Sequence, residues 1–292
     1  MVNIIRFIFN HPLNQQHKML SIWRFFKWQI SSRLWSGSFV FNWIDDSKLI
    51  ISNGMTGATG NIYVGLMEYE DMGFLLHYLQ EDDLFYDIGA NVGVYTILAS
   101  KVKKSKTFSF EPLPNTYERL LDNIQINRLN NVVTNNIGLS SEKSKLYFTT
   151  DRDTMNSVAL NTDINKVEII VDTLDNISRK FGIPKAIKID VEGYESNVLK
   201  GAKEVLQSNN LEVIILELNG NGEKFGFKDD DIHKDLVKYG FNSYTYNPFK
   251  RKLIKLDKYG THNTIYIRKD SVTNINKILK KANSFNVNGI DL

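Results

Sequence analysis

From residue 84 onward the chain alternates short apolar runs with amphipathic stretches, and no other feature restricts its fold so tightly. "LFYDIG" reads as a buried strand and "VGVYTILASKVKK" as the helix after it. "KTFSFE" is a second strand, stopped by Pro112 and Pro114, and Tyr117, Leu120, Leu121 and Ile124 then recur at helical spacing over 115–128. "NNVVTNNIGL" is a third strand, while "KSKLYFTT" and "KVEIIVDTL" are extra strands around a polar loop at 151–165. "PKAIKID" follows, then a helix over 192–207 with Tyr194, Val198, Leu199, Ala202, Val205 and Leu206 on one face. "LEVIILELNG" is nearly continuous in apolar residues, as strands covered on both faces are. A polar helix near 229–239 precedes "FNSYTYN" and "TIYIRK", two strands joined through the Pro248–Lys252 turn. Repeated strand–helix units predict an α/β, doubly wound, Rossmann-like sheet. Ligands in such sheets sit beyond the carboxyl ends of the strands.

Four of those ends carry chemistry. Asp87, Gly89, Asn91 and Gly93 close the first strand, where glycines admit a ligand to the main chain and a helix N-terminus offers free N–H groups. A pyrophosphate would be repelled by Asp87, whereas a ligand bearing an ammonium or sulfonium, such as S-adenosylmethionine, would be attracted. Glu111 ends the second strand and can accept hydrogen bonds from a ribose diol. The bland reading of the glycines is a tight turn with no ligand. "KIDVEGYE" puts Asp190 at a strand tip with Glu192 just beyond, and "LELNG" puts Glu217 and Asn219 at a neighbouring tip. These oxygens could orient an acceptor alcohol, take its proton, or hold a hard divalent cation such as Mg2+; N-capping by Asp190 and solvent exposure of the others is the alternative.

The blocks "DIGANVG", "FEPLPNT" and "KIDVEGYE", in that order, resemble the FkbM-like family of S-adenosylmethionine-dependent methyltransferases, from about Leu84 to about Asn219. The resemblance implies a class I methyltransferase sheet of seven strands with the last antiparallel. It also implies donor contacts at Asp87, Gly89, Asn91, Gly93 and Glu111, Asp190 at the reacting side, and O-methylation of a sugar, glycan or natural-product hydroxyl. Asp190 is then the base or orienting carboxylate, with Glu192, Glu217 and Asn219 in support. The segments "HPLN" and "GATGNIYVGLMEYEDMGFLLHYL" and the loop "MNSV" are similar to those of family members from bacterial glycan pathways, which adds Asn156 to the acceptor contacts. Of five scattered histidines, His262 is the best placed to touch substrate, and His77 reads as packed or exposed. "YNPF" resembles an amino-methylating signature but stands in the wrong place for one, and reads as a turn.

Residues 1–80 form an accessory segment before a main domain over 81–292. Residues 1–44 hold five basic residues, no Asp or Glu, and all four tryptophans of a chain whose net charge is +3. Met19, Trp23, Phe26, Ile30 and Leu34 line one helical face, read as packed on the core or on a second copy in a homo-oligomer, with an interfacial membrane helix as the alternative. "GMTGATG" reads as a turn or lid. There is no cysteine, which removes thiol catalysis and Cys-ligated metals. Without an apolar run of about 20 residues or a secretory signal, the expected compartment is the cytoplasm, or the inner face of the membrane. Competing functions are a nucleic-acid methyltransferase, for which the net charge is modest, and a non-catalytic scaffold that binds glycan or a partner.

Overall fold

The computed structural model describes residues 2–35, 37–151, 156–160 and 162–292. The chain opens with helices α1 (Val2–Asn10) and α2 (Lys18–Leu34), a hairpin of β1 (Phe39–Asn42) and β2 (Lys48–Ile51), and helices α3 (Thr56–Val64) and α4 (Tyr69–Tyr78). The alternation then runs through β3 (Leu84–Ile88), α5 (Val94–Ile97), β4 (Lys106–Phe110), α6 (Pro114–Ile126) and β5 (Val132–Asn135). A side sheet of β6 (Gly138–Leu139), β7 (Ser144–Thr149) and β8 (Lys166–Asp172) interrupts it. It resumes with α7 (Leu174–Phe181), β9 (Ala186–Ile189), α8 (Glu195–Lys200), α9 (Lys203–Gln207) and β10 (Val213–Glu217). Then come α10 (Asp229–Lys238), β11 (Phe241–Asn247), β12 (Lys252–Lys255), β13 (Asn263–Arg268) and α11 (Val272–Lys281), and a short hairpin of β14 (Asn286–Val287) and β15 (Ile290–Asp291) follows.

The main sheet has the order β12-β11-β13-β10-β9-β3-β4-β5. Strands β5, β4, β3, β9 and β10 are parallel, and β13 lies antiparallel between β10 and β11. Seven of these strands are the expected set with the last one reversed. The eighth, β12, escaped the sequence reading. The turn after Asn247 folds β11 back on β12, pairing Tyr246 with Leu253, and does not lead directly to the last strand. With a lysine at each end, "KLIK" has the short, charged make-up of an edge strand.

Side chains alternate across the sheet and both faces are covered. Phe85, Ala186, Val213, Ile215, Ile265 and Ile267 meet α4 and α11, while Tyr86, Ile187, Ile189, Ile214 and Leu216 meet the helices of the other face. Residues of α4, assigned from sequence to the accessory segment, therefore share this core: Phe74, Leu75, Leu76 and Tyr78 are fully buried. His77 is buried too, its Nδ1 2.8 Å from the Tyr246 hydroxyl. The single helix expected over 192–207 is two short ones. Gly201, between them, presses against the side sheet so closely that a Cβ there would lie 2.1 Å from the Ser140 carbonyl oxygen.

Two further expectations need correction at the N-terminus. "GMTGATG" is mostly the start of α3, not a turn. On α2, the stripe Met19, Trp23, Phe26, Ile30 and Leu34 faces solvent, at 80, 61, 44, 56 and 82% exposure. The opposite side packs instead: Phe25 and Trp28 are buried between Ser21 and Ser32, and Phe25 meets Tyr63 of α3 edge-on with ring centroids 5.3 Å apart. The helix has two apolar faces, and periodicity alone does not say which one the core takes.

Candidate active site

A cleft of about 210 Å³ opens where β3, β4, β9 and β10 end. Gly89, Asn91 and Glu111 line one part and Asp190, Glu192 and Glu217 another; Phe148, Asn156 and Val158 form a wall from the side sheet and its loop. Met155 of the "MNSV" loop lies outside the described residues. The N-terminal segment also contributes, through Gly57 and Glu68.

At the first end, the Glu111 carboxylate accepts from Asn91 N (2.9 Å) with one oxygen and from Leu113 N (3.0 Å) with the other. Burial pushes it up to about 7 against those bonds. Each oxygen keeps a lone pair for a further donor. Asp87 is buried within β3 and does not line the cleft. Its Oδ2 accepts from Thr96 Oγ1 (2.6 Å), which also bonds Ser109 Oγ, and burial raises it to about 6. Gly93 caps α5 with φ 91° and also stands outside the cleft lining. Gly89, at φ 78°, has no room for a side chain: a Cβ would fall 1.8 Å from the Asp190 carbonyl oxygen. That contact brings the two strand tips together.

At the second end, oxygens of Asp190, Glu192 and Glu217 lie within 4.8 Å of one another. Behind them, in the strand, is Lys188, whose side chain is only 2% exposed; its Nζ donates to Asp190 Oδ2 (3.0 Å) and Asn263 Oδ1 (3.3 Å). Burial works to discharge Lys188, but Asp190, Glu68 and Glu217 overcome it and raise its pKa above the ordinary lysine value. Burial likewise works to protonate Asp190, yet the Lys188 ammonium and a hydrogen bond from Glu217 hold it below the usual carboxylate range. Glu217 takes the opposite course: burial and the Asp190 charge push it up to about 9. The two shifts run in opposite directions, which favours one ionised and one protonated carboxyl in the pair. Burial, then Asp190, raises Glu192 to about 6; it sits at φ 54° and accepts from Asn221 Nδ2 at 2.9 Å. The Glu195 carboxylate holds the loop by accepting from Val191 N and Gly193 N, each at 3.1 Å.

Two candidates stand apart. Asn219 is exposed, its Oδ1 accepting from Asn221 N, and His262 is exposed, with its carbonyl accepting from Leu218 N; neither side chain lines the cleft. The residue after His262, Asn263, is the one that reaches inward. Sequence reasoning also missed Glu68, Asp71, Tyr95 and Lys188. Tyr95 donates to Glu68 Oε2 (2.5 Å) and lies under the Lys188 ammonium, 5.3 Å from ring centroid to Nζ. Asp71 is raised to about 8 by burial and then by Glu68, and bonds Asn263. One signal was available: Lys188 is a lone charge inside the apolar run "AIKI", a position where an unpaired lysine would be costly.

A doubly wound sheet with its last strand reversed between two others, and a cleft at the parallel strand tips, defines a class I methyltransferase fold. The profile of the methyltransferase FkbM domain matches residues 87–243, just over half of the chain, and the chain belongs to that family. It is 31% identical to the hexuronic acid methyltransferase AglP of Haloferax volcanii over 50% of this chain and 61% of that one. It is 29% identical to methyltransferase 1 of Beauveria bassiana over 41% of this chain and 59% of that one. The chain thus spans about three fifths of each of these relatives. Among solved structures, M. jannaschii TYW2 in complex with AdoMet overlaps 80% of this chain and 86% of its own at 15% identity and a TM-score of 0.39, too loosely to bear on function. No described helix is long and apolar enough to cross a membrane.

Proposed function

We propose that this chain is an S-adenosylmethionine-dependent O-methyltransferase whose acceptor is a hydroxyl group of a sugar or glycan. The observation that carries the reading is the Asp190–Lys188–Glu217 arrangement, a carboxylate kept ionised at the end of a cleft whose other end suits the donor. The residues there fit that cofactor: Ile88, Phe110 and Leu139 offer apolar walls for an adenine, Glu111 has lone pairs for a ribose diol, and the acidic far end favours a cationic sulfonium. Asp87 and Gly93 would serve from behind, by shaping the turn and fixing Thr96. When bound, the cofactor supplies an electrophilic methyl group and a neutral thioether leaving group.

The chain's own part is to bind, align and move one proton. Asp190 accepts the hydroxyl proton as the oxygen forms its bond to the methyl carbon. Lys188 stabilises the carboxylate before that transfer, and Glu217 stays protonated until Asp190 loses its charge. Alignment supplies up to about 7–11 kcal/mol of such a barrier, and a positioned base about 10²–10⁴-fold. Glu192 and Asn156 border the acceptor's side. The acidic floor suits a neutral hydroxyl; a uronate would need a divalent cation between it and Asp190, Glu192 and Glu217, which also fit one.

The test is calorimetric titration with S-adenosylmethionine, followed by transfer of labelled methyl to neutral and uronate-terminated oligosaccharides with Mg2+ or a chelator present. Donor binding with label in the sugar supports the reading, and chelator sensitivity confined to the uronate supports the cation. Absence of donor binding removes the cofactor assignment, and binding without transfer to any hydroxyl removes the acceptor class.

A further inference from the structure

We propose that the outward face of α2, continued by α1, is a docking surface for an anionic lipid bilayer. At 3.6 residues per turn, Met19, Leu20, Phe26, Ile30 and Leu34 fall within about 60° of Trp23 around the helix axis. All six are more than two fifths exposed. Ser21, Phe25, Trp28 and Ser32 fall opposite and are the side the fold has used. α1 adds Ile4, Phe7 and Phe9 to the exposed set. Lys18 Nζ lies 4.3 Å from the Phe9 ring centroid, so the end of α1 adjoins the start of α2. A single exposed leucine needs no explanation, but a continuous patch of this kind does.

The charges choose the occupant. Arg6, Lys27 and Arg33 are exposed around the patch, and residues 1–44 contain no acidic side chain. A second copy seated face to face would bring those cations together with nothing on either face to pair them. An anionic bilayer supplies the missing charge and takes the apolar side chains among its headgroups. Trp23 and Trp35, both exposed, are the residue type that favours the membrane–water boundary. The helix, about 25 Å long at 1.5 Å per residue, would lie along the surface, since it is too short and too charged to span. The inference rests on the exposed side chains of α1 and α2 and the charges around them, and is independent of the methyl-transfer reading.

The full chain is sedimented with vesicles of phosphatidylcholine alone and of phosphatidylcholine containing phosphatidylglycerol, with tryptophan emission recorded. The expected result is binding to the anionic vesicles, with a blue shift and weakening by salt. The Trp23→Glu/Ile30→Glu variant should lose at least about tenfold in binding, as removal of one buried aromatic implies, and Lys27→Gln/Arg33→Gln should weaken binding only to anionic vesicles. All four positions are exposed, and matching circular dichroism establishes that the variants fold. Failure to bind anionic vesicles, or equal binding by Trp23→Glu/Ile30→Glu, overturns the proposal. A wild-type dimer that this variant converts to monomer, without vesicle binding, assigns the face to a second copy instead.

Discussion

Lys188 is a charge placed where a strand normally keeps Val or Ile, and its effect is to favour the ionised form of Asp190 against burial. Replacing it with Met keeps the volume and removes the counter-ion. Asp190 should then titrate upward, and the acid limb of the pH–rate profile should move toward neutrality while donor affinity, read by calorimetry, stays within a few fold. Asp190→Asn is expected to bind the donor normally and lose about 10²–10⁴-fold in turnover, the range of a positioned base; full turnover would take Asp190 out of the chemistry. Glu217 has a separate signature in stability. Its folded pKa of about 9 lies above the unfolded 4.5, so between those values the folded chain holds a proton that the unfolded chain has released. Raising the pH across that window therefore favours unfolding. The melting temperature of the wild type, relative to Glu217→Gln, should fall from pH 5 toward 9 and level off above it.

Among the elements, α2 shows how far a pattern read from sequence can go. Its helical period was plain, but the side that packs was decided by Tyr63, which belongs to another helix and lay beyond local inspection. Phe25→Ala should cost about 3–5 kcal/mol, as emptying a buried aromatic site does, whereas Phe26→Ala, one residue on and exposed, should change the melt little. A thermal or urea titration of the two variants checks the assignment of faces. The turn after β3 makes a second prediction: Gly89→Ala would force the Asp190 carbonyl away, so activity should fall with Asp190 itself unaltered, read as lost turnover in a chain that still gives a native circular dichroism spectrum. The parallel strands and their tips were legible because buried strands are continuous apolar runs ended by Gly, Pro or acid. The edge strand β12, four residues with two lysines, carried no such contrast.

Over the whole molecule, the cleft draws on segments far apart in sequence. Glu68 comes from the N-terminal segment, Tyr95 from α5, Lys188 from β9 and Asn263 from β13, and their convergence follows from strand order, which no local motif encodes. The motif residues Gly89, Asn91, Glu111, Asp190, Glu192 and Glu217 were visible because they sit at strand ends. The residues that tune them were not, because each looks ordinary until the sheet is closed. The reversed strand β13 has a consequence for the order of events during synthesis. It lies between β10 and β11, both earlier in sequence, and β11 and β12 are hydrogen-bonded to the parallel strands only through it, so this edge of the sheet closes only once residues 263–268 are present. Asn263, which accepts from the Lys188 ammonium, comes with that strand. A chain stopped short of it would carry every motif residue and still lack the piece that completes the centre.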